Sequence, residues 1–406
     1  MRLVLTNEHR FEMTPDGSVW TRSMLPYTFW TPYLSEFKSV RVVARVQGAE
    51  SARPDWARAD GEGVTFSPVP NYLGPWQYLR KARLVRRAAK AAVGPRDAVI
   101  MRVPSIFPPI LVPGFLRSGR PFGLEVVGDP CDVYAPGAVR HPLRPLFRRF
   151  FSRRMRGQIG RACAVHYVTR EKLQRRYPPG PGAFSTSYSD AQMRDEAYVA
   201  SPRPLKSPGS RFALVTVGSL AQMYKGPDIL LAAVAICVQS GLDVDVTIIG
   251  DGRHRPELEA KAASMGLVER ARFLGQLPAG TAVRAELDRA DLFVLPSRVE
   301  GLPRAMIEAM ARALPCVGST AGGIPELLPE AEMVPPGDAA ALAAKLNEVL
   351  KDPARLALMS ARNLEEAREY HVDKIRAKRL AFYAHVREST EAWLDGYRQR
   401  PCPTRG

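Results

Sequence analysis

Residues 297–327 read SRVEGLPRAMIEAMARALPCVGSTAGGIPEL, and this stretch decides the fold. An apolar run at 292–295 delivers Pro296 and a loop carrying Glu300, Gly301, Leu302 and Pro303. A helical pattern over 304–313 comes next, then a second apolar run at 315–318. Strand, helix and strand in that order make a parallel crossover. Pro303 suits a first helical position, and Gly301 lets the backbone come close to a ligand. The helix start offers free N–H groups and a positive dipole end, which suits a phosphate. Glu308 follows one turn into the helix. Two carboxylates beside an anion site would repel a bare phosphate, yet each accepts hydrogen bonds from sugar hydroxyls. A sugar on each side of a diphosphate is the composition of a nucleotide sugar. Past the next strand, Gly322 and Gly323 open another backbone-lined turn.

The alternation continues on both sides. Strands at 212–217, 244–249 and 272–274 alternate with helices at 227–240, 256–265, 281–290 and 339–350. Repeated alternation of this kind predicts a parallel sheet with helices on both faces, a Rossmann-like unit. The first half repeats the theme. Strands are expected at 3–5, 40–46, 64–69, 98–102, 124–127 and 165–168, with helices at 24–37, 77–93, 143–161 and 170–177. Residues 178–210 contain PPGPG and SPRPLKSPGS and show little periodicity, as a linker does. The chain therefore divides into an α/β domain at 1–190, a linker at 191–210, a second α/β domain at 211–352 and charged C-terminal helices and tail at 353–406. Ligands bind outside the carboxyl ends of the strands in such sheets. No Gly-x-Gly-x-x-Gly follows the first strand of either half, which disfavours a dinucleotide cofactor, and no phosphate-binding P-loop motif occurs.

Charge separates the halves. The chain of 406 residues has a formal net charge of +17. Residues 1–190 hold 30 Lys and Arg against 14 Asp and Glu; residues 191–406 hold 28 against 27. Different partners are expected for the two. At 46% hydrophobic and 24% charged, the composition is that of a globular protein. No apolar run is long enough to span a bilayer, and MRLVLTNEHR turns polar after Leu5, unlike a secretory leader. The five cysteines are scattered, without a Cys-x-x-Cys, so a reducing cytoplasmic setting without disulfides or zinc is expected.

Five motifs then stand in order: Tyr224-Lys225-Gly226, IIGDG at 248–252, FLGQL at 273–277, the Glu300 and Glu308 pair, and GSTAGGIPE at 318–326. Through nearly all of 211–350 the sequence resembles the family 4 retaining glycosyltransferases of GT-B fold. The resemblance implies two Rossmann-like domains facing a central cleft, with the C-terminal helices crossing back to the first domain. It makes 211–352 the donor domain and the basic first half the acceptor domain. It gives Glu300 to the donor sugar, Glu308 to the ribose hydroxyls and Lys225 to the diphosphate. Gly275, Gln276 and Leu277 would hold the nucleobase, and Gly301, Leu302 and Pro303 would line the sugar and phosphate pocket. Gly17, in the loop after the first strand, would face the phosphates. Two departures stand out. Where the family has Gly-Arg-Leu, this chain has Gly218-Ser219-Leu220, so Ser219 replaces a phosphate-binding arginine. Where the family often has His-Asp, the sequence EVVGDP at 125–130 places Gly128 and Asp129. Asp129 reads equally as a replacement catalytic group and as an Asx-turn cap.

The implied activity moves a hexose-type sugar from a nucleoside-diphosphate sugar, with retention, without a metal or other cofactor. A UDP-sugar is favoured and GDP-mannose is the other donor considered; the acceptor is a glycan, a lipid or a natural product. The alternatives are a sugar-nucleotide epimerase and a non-enzymatic polyanion-binding or membrane-binding protein. His166 reads as a core histidine, and His9, His141 and His254 lack metal-ligand spacing. Trp20, Tyr27, Phe29, Trp30 and Tyr33 read as helix packing. Between Arg140 and Arg176 stand twelve Lys or Arg and one acid, Glu171. Interleaved Leu146, Phe147, Phe150, Phe151, Met155 and Ile159 give this stretch a helical period. It is either a solvated face or a contact with an anionic partner, the inner leaflet of a membrane or an anionic acceptor. No nucleic-acid motif accompanies it.

Overall fold

The computed structural model describes residues 1–22, 25–135, 141–191, 193–204 and 211–398. Met24, Arg140, Cys402 and the linker residues 205–210 lie outside them. The first half runs β1 (Arg2–Met13), β2 (Val19–Thr21), α1 (Tyr27–Trp30), β3 (Ser39–Gly48), β4 (Ala57–Arg58), β5 (Val64–Pro70), α2 (Gly74–Ala91), β6 (Ala98–Val103), α3 (Phe107–Ser118), β7 (Gly123–Val126), α4 (Pro130–Val133), α5 (Arg144–Ile159), β8 (Ala164–Tyr167), α6 (Lys172–Arg176) and β9 (Phe184–Ser187). The second runs β10 (Phe212–Val217), α7 (Pro227–Gln239), β11 (Val244–Ile249), α8 (Arg255–Ser264), β12 (Ala271–Gly275), α9 (Thr281–Arg289), β13 (Leu292–Leu295), α10 (Arg304–Ala311), β14 (Cys316–Ser319), β15 (Met333–Val334), α11 (Ala339–Leu350), α12 (Pro353–Arg368) and α13 (Val372–Arg398).

Both sheets are doubly wound. The second has the order β12-β11-β10-β13-β14-β15, all parallel. In the first, parallel strands run β5-β3-β1-β6-β7-β8-β9, and short β2 and β4 extend β1 as an antiparallel edge. In each sheet the strand order reverses beside the first strand, between β1 and β6 and between β10 and β13. Such reversals open a crevice at the carboxyl ends. Every residue of β6, AVIMRV, is buried, as expected of a parallel strand covered on both faces. The C-terminal helix α13 returns to the first sheet, where Phe382, Tyr383 and Val386 join its core. Burial of Phe382 and Val386 alone contributes about 1.5–3 kcal/mol each. The two Rossmann-like halves and the returning helix make a GT-B fold.

Three expectations need correction, and one helix was not foreseen. The first strand is twelve residues long, not three: its polar Asn7, Glu8 and His9 are accommodated at a bulge against β3. There the Arg45 guanidinium donates to the Glu8 carbonyl, and Glu8 accepts from the Ile106 N–H at 2.7 Å. The helix expected at 24–37 is a single turn, α1, and a 3-10 turn at Thr31–Ser35 with Pro32 at its start. Trp30 and Tyr33 are buried there, in the packing role expected. The apolar stretch after β6 is a helix, α3, despite prolines at 108, 109 and 113; two of them sit in its first turn, where no N–H is missed. The Pro-rich segment after 178 is ordered in part. It contributes β9 to the sheet, and Tyr188, Ala191, Met193 and Ala197 are buried as the chain crosses to the second half. The four described cysteines, 131, 163, 237 and 316, are free thiols.

Candidate functional site

The reversal between β10 and β13 places two loops side by side. One, after β10, carries Lys225 in a 3-10 turn at Met223–Lys225. The other, after β13, carries Glu300. The loops are tied together: the Arg298 guanidinium grips Asp228 through two bonds, at 2.8 and 2.7 Å, and donates to the Met223 carbonyl. Bidentate pairs of this kind fix orientation as well as distance. The Arg298 N–H donates to the Tyr224 carbonyl at 2.6 Å. Gly226 has φ +72°, and a Cβ there would lie 2.2 Å from the Pro296 carbonyl, so only glycine allows this approach. The outcome is an ion pair between the Lys225 ammonium and the Glu300 carboxylate, with 19% and 6% of their side chains exposed.

Glu308 is on α10, half-buried, with no hydrogen-bond partner among the described residues. Burial raises its carboxyl above the usual range, and the nearby Arg304 and Arg284 partly offset this. A shielded carboxylate without a partner is suited to receive hydroxyl donors. Pro303 caps α10 rather than entering it. The Leu302 side chain is inserted between the cores of the two halves. A Cβ on Gly301 would lie 2.9 Å from the Val127 carbonyl of the first half. Gly301 and Leu302 thus join the halves, and only their backbone remains to line a pocket. Gly275, at φ +71°, pairs with Gly250 through the Gly250 N–H at 2.8 Å. Gln276 is exposed and Leu277 half-buried beside it. Ser219 is exposed, its Oγ accepting from the Ala221 N–H.

Two further predicted residues lie on loops that follow strands of the first half, Gly17 after β1 and Asp129 after β7. Gly17 is at the tip of the β1–β2 hairpin, where the Ser18 hydroxyl donates to Asp16 and the Val19 N–H donates to Asp60. Asp129 is fully engaged. One carboxylate oxygen accepts from the Cys131 N–H at 2.8 Å and the Tyr177 hydroxyl at 2.5 Å, and the other pairs with Arg176. It is the N-cap of α4 and 3% exposed, so the geometry takes the capping reading and not the catalytic one. Asp129, Cys131 and Asp132 form a ligand cluster that the sequence reading did not foresee. Arg176 and Lys172 ion-pair with its carboxylates, so protein cations already neutralise it.

Other residues with a part in the site were not foreseen. Glu326, the last residue of GSTAGGIPE, accepts from the backbone N–H groups of Arg170, Glu171 and Lys172 across the two halves. Lys172 reaches back to the Gly322 carbonyl at 2.8 Å. At the ends of β6 and β7, buried Arg102 pairs with Glu125 at 2.7 Å and Asp190 at 2.5 Å, and the Tyr33 hydroxyl donates to Glu125. His166 is a core residue as expected: its Nε2 lies 2.8 Å from the Tyr188 carbonyl, and burial lowers its pKa to about 3.

Residues 211–352 match the family described as Glycosyl transferases group 1. Protein CapJ of Staphylococcus aureus is 24% identical over 79% of this chain and 80% of its own length. The 2-deoxystreptamine glucosyltransferase of Streptomyces kanamyceticus is 28% identical over 66% of this chain and 71% of its own. Among solved structures, HepE of Anabaena in complex with UDP-glucose aligns with a TM-score of 0.63 at 18% identity, covering 94% of this chain and 98% of that one. WaaG, a glycosyltransferase involved in lipopolysaccharide biosynthesis, aligns at 0.62 and 14% identity, over 93% and 98%.

Proposed function

We propose that this chain, a glycosyltransferase of GT-B fold similar to the family 4 enzymes, transfers a hexose from a nucleoside-diphosphate sugar with retention of configuration. The observation that carries the reading is the Lys225–Glu300 ion pair at the strand reversal, followed on α10 by Glu308, which has no hydrogen-bond partner among the described residues. When the glycosyl–phosphate bond breaks, charge develops on the leaving diphosphate and on the sugar ring. Lys225 and the N–H groups at the start of α10 meet the first charge. Glu300 accepts from the donor sugar's hydroxyls, and Glu308 from those of the ribose. Fixed donors in a water-poor cleft contribute several kcal/mol, roughly, because they need no reorganisation as charge develops. Backbone around Gly275 and Leu277 borders the nucleobase. No covalent nucleophile is assigned; the leaving phosphate takes the acceptor's proton. No metal is required in this scheme.

A UDP-sugar is the favoured donor, in line with the UDP-glucose bound to HepE; relatives with GDP-mannose-dependent names keep GDP-mannose in view. The acceptor is a glycan, lipid or natural product. A lipid-borne acceptor agrees with the outer surface of the first half. Helices α2 and α5 carry six Lys or Arg each and no acid. Trp76, Leu79, Leu84, Leu146 and Phe150 stand exposed among them. Basic helices with exposed aromatic and aliphatic side chains lie on anionic bilayers, here at the cytoplasmic face. Among the described residues no helix is long and apolar enough to cross a membrane. The test is turnover of a panel of UDP- and GDP-sugars with acceptors present and absent. Sugar release or transfer from one donor is expected. Epimerised donor without acceptor would replace the reading, and no turnover of any donor would refute it.

A further inference from the structure

Away from the cleft, α2, α3 and α13 border an open cavity of about 860 Å3. Its place follows from the topology. The cleft takes the carboxyl ends of the strands, whereas Arg96 precedes β6 and Arg120 precedes β7, at their amino ends. None of the residues assigned above to donor binding lines it.

The lining joins two chemistries. Arg86, Lys90, Arg96, Arg117 and Arg120 contribute five positive charges, and no carboxylate is among the described lining residues. Between them are apolar side chains, including Phe115 and Trp393. Arg120 is the most informative. It is only 9% exposed. Its Nη2 donates to the Gly94 and Asp97 carbonyls, and its guanidinium lies 5.3 Å from the Phe115 ring and 5.4 Å from the Trp393 ring. Its Nε is buried with no hydrogen-bond partner among the described residues. Buried donors in native proteins are usually satisfied, so this Nε has capacity for an acceptor. Trp393 is held in place by donation from its Nε1 to the Ser118 carbonyl at 3.0 Å.

We infer that this cavity binds an anionic amphiphile, an aliphatic chain ending in a phosphate. The head meets Lys90, Arg96 and Arg120, and the chain lies against Phe115 and Trp393. Cations alone would fit free phosphate and apolar walls alone an alkanol; the combination fits neither half by itself. The site is independent of the nucleotide site, so either can fail without the other.

Calorimetry on the full chain tests this with octyl phosphate below its micelle concentration, inorganic phosphate and octanol. Octyl phosphate is expected to bind one per chain, at least tenfold tighter than the other two. The double variant Lys90→Glu and Arg96→Glu changes exposed side chains. It should weaken octyl phosphate at least tenfold while UDP affinity stays unchanged. Arg120→Met should do the same where it folds. Competition by phosphatidic acid vesicles assigns the amphiphile to the bilayer; octyl phosphate binding that vesicles do not displace assigns it to solution. Inorganic phosphate binding as tightly as octyl phosphate, or the charge-reversed variant binding unchanged, overturns the inference.

Discussion

Lys225→Met is expected to cost a nucleoside diphosphate more than the loss of one cation. In the ligand-free site the ammonium is paired with Glu300, whose side chain is 6% exposed. A diphosphate entering the crevice shares Lys225 with that carboxylate. Without the lysine, the charge-assisted bond is gone, a loss of about 1.5–3 kcal/mol. Glu300 then stands uncompensated beside an anion. Two like charges about 5 Å apart repel by about 3 kcal/mol at an effective dielectric of 20, less here because the lysine position is partly exposed. Together UDP should lose about 3–4 kcal/mol, roughly two to three powers of ten in Kd. UMP lacks the distal phosphate and should lose less than about 1 kcal/mol, as screening reduces the more distant charge. The sharper test is the double variant. Glu300→Gln removes the repulsion, so Lys225→Met/Glu300→Gln should bind UDP more tightly than Lys225→Met alone. Glu300→Gln by itself should bind UDP at least as tightly as the wild type while donor turnover collapses. Titration calorimetry reads each affinity, and thermal unfolding confirms that the variants fold. Equal losses for UDP and UMP, or a double variant no better than the single, would refute the shared-lysine argument.

Glu308→Gln should weaken UDP by about 1.5–3 kcal/mol per ribose bond and raise the ligand-free melting temperature at neutral pH. The native carboxyl holds its proton more tightly than the unfolded one, so ionising it lowers stability as pH rises; melting curves that match the wild type at neutral pH would contradict this. His166 behaves in the opposite sense. Its folded pKa of about 3 lies below the unfolded value, so stability falls as pH drops from about 6.5 toward 3. His166→Gln should flatten that slope by up to about 1.4 kcal/mol per pH unit, and a slope unchanged in urea titrations between pH 6.5 and 4 would count against it. Replacing Arg80, Arg83, Arg149 and Arg153 by Gln should release the protein from phosphatidylglycerol vesicles while soluble-acceptor turnover persists, since each interfacial cation contributes about 1 kcal/mol; wild-type protein that stays in the supernatant at low salt would leave α2 and α5 as solvated faces. EDTA should leave turnover intact, and loss of activity restored by a divalent ion would overturn the metal-free scheme.

The second half was legible because its helices and strands are short, apolar and sharply punctuated. Strands expected at 212–217 and 244–249 are β10 and β11 to the residue, and Glu300 and Glu308 fall on the loop and helix predicted for them. The first strand was not, because Asn7, Glu8 and His9 look like a turn until Arg45, Tyr72 and the Ile106 backbone N–H are brought from elsewhere to satisfy Glu8. Helix α3 was hidden for a related reason: local pattern marks Pro108, Pro109 and Pro113 as breakers, while burial of Phe107, Ile110, Leu111 and Phe115 holds the helix. The α/β alternation, the two-part division of charge and the residue types in the loops after β10 and β13 are properties of near neighbours along the chain, and each could be read without the fold. Which of these residues meet depends on packing. Lys225 pairs with Glu300 because the strand order reverses between β10 and β13, and Asp129 became a cap because Arg176 and Tyr177 fold back on it. The exposed face of α2 and the cationic cavity beside it depend on what the rest of the chain leaves uncovered. Burial is a property of the whole packed molecule, and no window of residues contains it.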